Sequence, residues 1–187
     1  MEVEKTAIEG VLVLTPRVFT DARGYFFESY SKRDFDAALG RSINFVQDNE
    51  SMSHRGVVRG LHFQAPPFAQ AKLVRCVRGA VLDVAVDIRV GSPTYGRHVA
   101  VEISAANRRQ IFLPKGIAHG FAVLEDDTVF QYKCDNYYAP AADGGIDLSD
   151  PALGIDWPFA PEEMILSDKD RRHPRLSEWT SPFKYEE

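Results

Sequence analysis

Arg59, His62 and Lys72 fall within one strand-like, otherwise apolar run from Val57 to Arg78, on extended segments joined by a turn at Pro66-Pro67. A base oriented by a carboxylate and facing a cation is what removes a proton next to a carbonyl. The carboxylate sets the imidazole tautomer, and the ammonium stabilises the enolate oxygen as it forms. On this reading His62 is a general base, Lys72 holds the oxyanion and Arg59 binds phosphate. A lone histidine in an apolar strand is more often structural than catalytic, and the two nearby cations reverse that weighting. Asp83 and Asp170 are both available as the carboxylate. Tyr132, in Val129-Phe130-Gln131-Tyr132-Lys133-Cys134, reads equally well as a core aromatic and as an acid. A phenol with its ordinary pKa near ~10 can deliver a proton to the face opposite the base, as inversion of a carbon requires.

A second motif is Pro114-Lys115-Gly116-Ile117-Ala118-His119-Gly120-Phe121. Its Pro-x-Gly-x-x-His spacing is similar to the second half of a cupin signature, a tight turn feeding a strand that points into a barrel. In metal-dependent cupins that histidine is a ligand beside a His-x-His and a glutamate. Here the first motif offers His62 alone, a poor ligand set, so no metal is expected. His119 is then expected to bond a ligand or shape a pocket. His54, His98 and His173 lack such neighbours and read as surface residues. The aromatic clusters Phe19, Tyr25, Phe26, Phe27 and Tyr137, Tyr138 are core or interface, with one or two able to stack a base.

The elements that must position these groups are mostly strands. Val11 to Leu14 is a short apolar run stopped by Thr15-Pro16, and Tyr25 to Tyr30 follows a turn at Asp21 to Gly24. One helix is predicted next, with Ser31 as N-cap, Phe35, Ala38 and Leu39 on one face, and Gly40 closing it. Lys72 to Val77 and Val81 to Arg89 read as a hairpin about Arg78-Gly79. In the second of these, Leu82, Val84, Val86 and Ile88 share one face and Asp83, Ala85 and Asp87 the other. The acidic face either lines a cavity or is solvated. Further short strands run from His98 to Ile103, Arg109 to Leu113, Phe121 to Leu124 and Val129 to Tyr132. Ser167 to Arg172 is expected to form a short capped helix over the barrel. Many short strands and one helix indicate an antiparallel sandwich or barrel, in one domain of 187 residues. A net charge of −5 argues against nucleic-acid binding. Cys76 and Cys134 form no CxxC, which argues against a disulfide scaffold or zinc cage. The first residues lack a signal-peptide pattern and no apolar run spans a bilayer, so the cytoplasm is expected.

Taken in order, several segments together resemble one family: 59–64, 72–75, 83–89, Gly91-Ser92-Pro93, 114–121, Tyr132-Lys133-Cys134 and Leu166-Ser167-Asp168-Lys169-Asp170. The chain resembles the dTDP-4-dehydrorhamnose 3,5-epimerases over nearly its whole length. That resemblance implies an all-β, antiparallel, cupin-like jelly-roll barrel with a few short peripheral helices, the stretch 137–187 forming a cover. It implies a cofactor-free and metal-free epimerisation of dTDP-4-dehydro-6-deoxy-D-glucose at C3 and C5. His62 with Asp170 would be the base, Lys72 the enolate stabiliser and Tyr132 the acid. Arg23, Glu28, Gln47, Asp48, Asn49, Arg59, His119 and Lys169 match ligand-contacting positions, Tyr138 matches the thymine-stacking position, and Phe19 and Phe26 match pocket walls. Asp143 stands where the family usually has a glutamate. The family is homodimeric, with exchanged N-terminal strands completing the partner's site. The alternatives are an epimerase acting on one carbon only and a metal-dependent cupin enzyme.

Overall fold

The computed structural model describes residues 1–185. Thirteen strands appear in chain order. They are β1 (Glu2–Lys5), β2 (Leu12–Thr15), β3 (Phe19–Asp21), β4 (Gly24–Phe26), β5 (Gln47–Ser53), β6 (Val58–Gln64), β7 (Lys72–Arg78) and β8 (Ala80–Asp87), followed by β9 (His98–Ser104), β10 (Gln110–Leu113), β11 (Ile117–Val123), β12 (Thr128–Cys134) and β13 (Asp143–Gly145). Among the described residues there is one α-helix, α1 (Lys32–Leu39), between β4 and β5. All pairings between these strands are antiparallel, in a six-stranded sheet ordered β1-β2-β10-β7-β12-β5, a five-stranded sheet ordered β13-β6-β11-β8-β9 and a two-stranded ribbon β3-β4. This is the jelly roll the sequence suggests. Among the described residues no helix is long and apolar enough to cross a membrane.

Three apolar layers hold the sheets. Val13, Val74, Ile111 and Phe130 from the six-stranded sheet meet Val81, Ala85, Ile103 and Phe121 from the five-stranded sheet between the two. Leu61, Phe63, Val84 and Val86 point outward from the five-stranded sheet. They are covered by Ile146, Leu148, Leu153, Phe159 and Phe183 of the C-terminal segment. Leu73 and Phe112 point outward from the six-stranded sheet and are covered by Phe35 of α1. Gly40 ends α1 in the left-handed region at φ 69°, while the Ser31 side chain makes no capping bond.

The expected hairpin about Arg78-Gly79 does not form. β7 pairs with β10 and β12, whereas β8 pairs with β11 and β9, so the chain crosses from one sheet to the other at Gly79. The physical reason is that both runs carry buried residues on both faces. Each is buried inside its own sheet rather than sharing one half-solvated ribbon. The acidic face of β8 is not solvated either, since Asp83 and Asp87 are both 0% exposed. Asp87 is held by Arg89, Ser92 and Thr94. Burial alone would raise its carboxyl, and those three partners hold it below the ordinary range.

Candidate active site

β6 carries the first wall. Its alternation breaks at Gly60, which sits at φ 144° against Gly120, where a Cβ would lie 2.6 Å from the Gly120 Cα. The register of β11 against β6 shifts at the same place. This bulge leaves Val58, Leu61 and Phe63 under the C-terminal cover, while His62 turns to the cavity between the sheets. The opposite wall comes from alternate residues of three neighbouring strands: Gln47 and Asn49 of β5, Lys72 of β7 and Tyr132 of β12. With Tyr138, Asp143 and Lys169 at the mouth, they enclose about 280 Å³.

The carboxylate beside His62 is Asp170. Its Oδ1 lies 2.5 Å from His62 Nε2, and its side chain is 4% exposed. Ser167 Oγ accepts from the Asp170 backbone N–H and starts the short 3₁₀ turn Asp170–Arg172 that carries it. Burial alone would raise the Asp170 carboxyl. Its interactions with His173, His62 and Ser167 outweigh that and hold it ionised, well below the usual carboxylate range. His62 Nε2–H therefore donates to Asp170, and Nδ1 keeps the lone pair. Asp83 is committed elsewhere, with Oδ2 2.8 Å from His119 Nε2. His119 is buried behind the cavity, stacked on Phe130. It supports the wall there rather than standing among the cavity-lining residues.

Lys72 Nζ sits 5.6 Å from the Tyr132 ring centroid. Burial pushes the Lys72 ammonium below its ordinary range, against the opposing pull of the Asp143 and Asp83 carboxylates. Burial likewise raises the Tyr132 phenol, with Arg59 opposing it. The Cys134 thiol is pushed up to about 11 by burial, so it stays neutral beside Lys72. At the mouth the Tyr138 hydroxyl donates to Asp143 over 3.0 Å, and Lys169 Nζ donates to the same carboxylate. Arg59 reaches across to Ser53 Oγ at 3.0 Å and is otherwise exposed.

The remaining sequence candidates lie apart from this cavity. Asp48 faces the outer side of its sheet, bonded to Lys133. Arg23 is exposed and paired with Asp21, and Phe19 and Phe26 are 50% and 66% exposed on the separate β3–β4 ribbon. Glu28 lines a different hollow beside α1.

His173 overturns its reading as a surface residue. Its side chain is 9% exposed, Nε2 lies 3.6 Å from Asp170 Oδ1, and the ring meets His62 edge-on at 5.6 Å. One ligating atom from each of His62, Asp170 and His173 lies within 4.8 Å of the other two. His62 therefore does have ligand-type neighbours, which the spacing of the motifs does not reveal. Gln64 also escapes the sequence reading. Its amide holds the cover by donating to Phe68 and Tyr137 carbonyls and accepting from the Ala139 N–H. A glutamine at an inward strand position is the only signal for it.

The family model described as dTDP-4-dehydrorhamnose 3,5-epimerase matches residues 5–178. A relative of that name from Salmonella typhimurium is 53% identical over 180 residues, covering 95% of this chain and 97% of its own length. Among solved structures, the dTDP-6-deoxy-D-glucose-3,5-epimerase of Legionella pneumophila in complex with dTDP-4-keto-L-rhamnose superposes with a TM-score of 0.94. It is 43% identical, and the match covers 100% of this chain and 99% of that one. A 3'-monoepimerase from Streptomyces bikiniensis in complex with dTDP-quinovose has a TM-score of 0.87 at 40% identity, covering 92% and 87%. A cavity with a carboxylate-backed imidazole on one wall and a buried lysine and tyrosine on the other thus stands in a chain that belongs to the dTDP-4-dehydrorhamnose 3,5-epimerase family.

Proposed function

We propose that the protein epimerises C3 and C5 of dTDP-4-dehydro-6-deoxy-D-glucose, giving dTDP-4-dehydro-L-rhamnose. The observation that carries this reading is the placement of His62 and Tyr132 on opposite walls of one cavity, with Lys72 beside the tyrosine. Protons at C3 and C5 are acidic because both carbons flank the C4 ketone. His62 Nδ1 takes one, and the ionised Asp170 stabilises the imidazolium that results. Lys72 balances the oxygen that becomes the enolate, its ammonium buried where such charge is screened least. Tyr132, its pKa raised, keeps its proton until the carbanion forms and then gives it to the carbon from the far side; the imidazolium and phenolate left behind exchange protons with solvent before the second carbon reacts. No step in this scheme calls on a metal or cofactor.

Tyr138 is assigned to stacking on thymine, and Arg59 and Lys169 to the diphosphate, with Asp143 holding Lys169 in place. Arg23, Glu28, Phe19 and Phe26 are assigned to the site of a second copy. Their position on an exposed ribbon away from their own cavity supports a homodimer with exchanged N-terminal strands. Asp48 is assigned to the same composite site, and His119 to keeping the cavity wall in shape. A cytoplasmic location, with the pool of nucleotide-activated sugars, completes the reading.

The test is NMR of the 4-keto sugar nucleotide in D₂O. Deuterium entering at both C3 and C5 with inversion supports the double epimerase, and exchange at one carbon points to single-site epimerisation. An absence of exchange removes the proposal. Sedimentation of the protein, together with recovery of activity on mixing inactive Arg23→Ala and His62→Ala chains, tests the shared site.

A further inference from the structure

We propose that His62, Asp170 and His173 form a three-ligand site for a divalent transition metal such as Zn²⁺, and that the metal acts there as a reversible inhibitor. The inhibitory part rests on the reading of His62 as the base. Two imidazoles and one carboxylate are donors that suit Zn²⁺, and three protein ligands with an open fourth position make a common coordination set. The three donors come from separate parts of the chain, β6 and the two ends of the C-terminal turn, and converge within 4.8 Å.

His173 is the ligand that the His62–Asp170 pair lacks. Its Nε2 is buried and faces the shared carboxylate at 3.6 Å from Asp170 Oδ1, a long ion-pair distance and close to the spacing of two ligands on one ion. Gly145 opens the space for that ring, since a Cβ there would collide with the imidazole.

The geometry needs modest adjustment for coordination, the two histidine nitrogens lying within 4.8 Å of each other. Tetrahedral ligands on bonds of about 2.1 Å stand about 3.4 Å apart. Asp170 and His173 are already 3.6 Å apart, and the 2.5 Å contact between His62 and Asp170 must open by about an ångström, within the reach of side-chain rotation. Lys72 and Lys169 are the nearby cations of the cavity, and Lys169 is neutralised by Asp143.

The chemical consequence follows from the ring. A metal on His62 Nε2 displaces the proton shared with Asp170, and a neutral imidazole bound through one nitrogen carries its proton on the other. Nδ1 then has no lone pair to accept a substrate proton. The same residues that make the base thus make its inhibitor site, and His173 supplies the third ligand.

The experiment is equilibrium dialysis of tag-free protein against ZnCl₂, with C3 and C5 proton exchange measured on the same samples, for wild type, His173→Phe and His173→Asn. The expected result is one Zn²⁺ per chain and loss of exchange in proportion to occupancy, with recovery on adding a chelator. Changing an outer-shell partner costs about 10–100-fold in affinity, so losing the His173 ligand should weaken binding at least about 100-fold. Binding unchanged in both variants, or no stoichiometric binding at all, overturns the site and leaves the His62 base reading intact. Stoichiometric, His173-dependent binding with full exchange upholds the site and overturns the base reading. Exchange that requires Zn²⁺ overturns the inhibitory role. An anomalous zinc peak in a crystal of the wild type decides the ligand set even where a variant fails to fold.

Discussion

Replacing Asp170 with asparagine keeps the shape of the side chain and removes its charge. The carboxylate is 4% exposed and 2.5 Å from His62 Nε2, so it stabilises the imidazolium through a short charge-assisted bond with little solvent screening. A hydrogen bond to a charged partner is worth about 1.5–3 kcal/mol, which converts to a roughly 10- to 150-fold loss in turnover. If the introduced amide turns its NH₂ toward Nε2, the ring proton is forced onto Nδ1, and the loss moves to the upper end or beyond. The assay is deuterium uptake at C3 and C5, alongside calorimetric binding of dTDP. Exchange should fall while dTDP binding holds, because the carboxylate lies behind the ring and away from the mouth. Less than about a threefold loss, or equal losses in exchange and nucleotide binding, would refute the role given to Asp170. The same variant should alter acid stability. Asp170 has a folded pKa below its unfolded value, so its contribution is present above the ordinary carboxylate pKa of about 3.9 and is lost as pH falls toward the folded value. The thermal midpoint of Asp170→Asn should therefore decline less steeply below about pH 4 than that of the wild type.

Three further outcomes follow from the same geometry. Burial lowers the Lys72 pKa below its ordinary 10.5, so turnover should decline as pH rises through that lowered value, and residual exchange in Lys72→Arg should lack this alkaline limb. Burial moves the Tyr132 phenol the other way, upward from 10.0, so an alkaline limb that persists in Tyr132→Phe and vanishes in Lys72→Arg belongs to the lysine. Tyr132→Phe should slow epimerisation more than proton exchange, since removal can occur without delivery to the far face; equal losses measured by NMR would count against the acid role. Gly145→Ala should cost about 1–3 kcal/mol by overpacking against His173, lowering the thermal midpoint by about 2–4 °C per kcal/mol in calorimetry.

How far the site is legible in the sequence depends on whether its determinants are local. His62, Lys72 and Tyr132 stand out because each is a polar group at an inward position of a strand whose alternation can be read residue by residue. The choice between Asp83 and Asp170 cannot be read that way. It is made by pairings far apart in the chain: β8 against β11 gives Asp83 to His119, and the docking of the C-terminal turn brings Asp170 to His62 across 108 positions. His173 escapes for the same reason. It follows a short turn in a tail without periodicity, and nothing nearby in sequence signals that the tail tucks its ring beneath β13.

The misplaced hairpin carries the deeper point about this architecture. Two apolar runs separated by a two-residue turn are expected to lie side by side, yet burial on both faces sends them into opposite sheets. The same alternation of sheets applies one strand earlier. β6 and β7 are consecutive, and they too face each other across the interior rather than pairing. Had they formed a ribbon, His62 and Lys72 would have shared one wall, and Tyr132, the neighbour of Lys72 in the sheet, would have shared it as well. A base and an acid on one wall can exchange a substrate proton but cannot invert the carbon that bears it. The crossing of the chain between sheets is therefore what gives the cavity two chemically different faces.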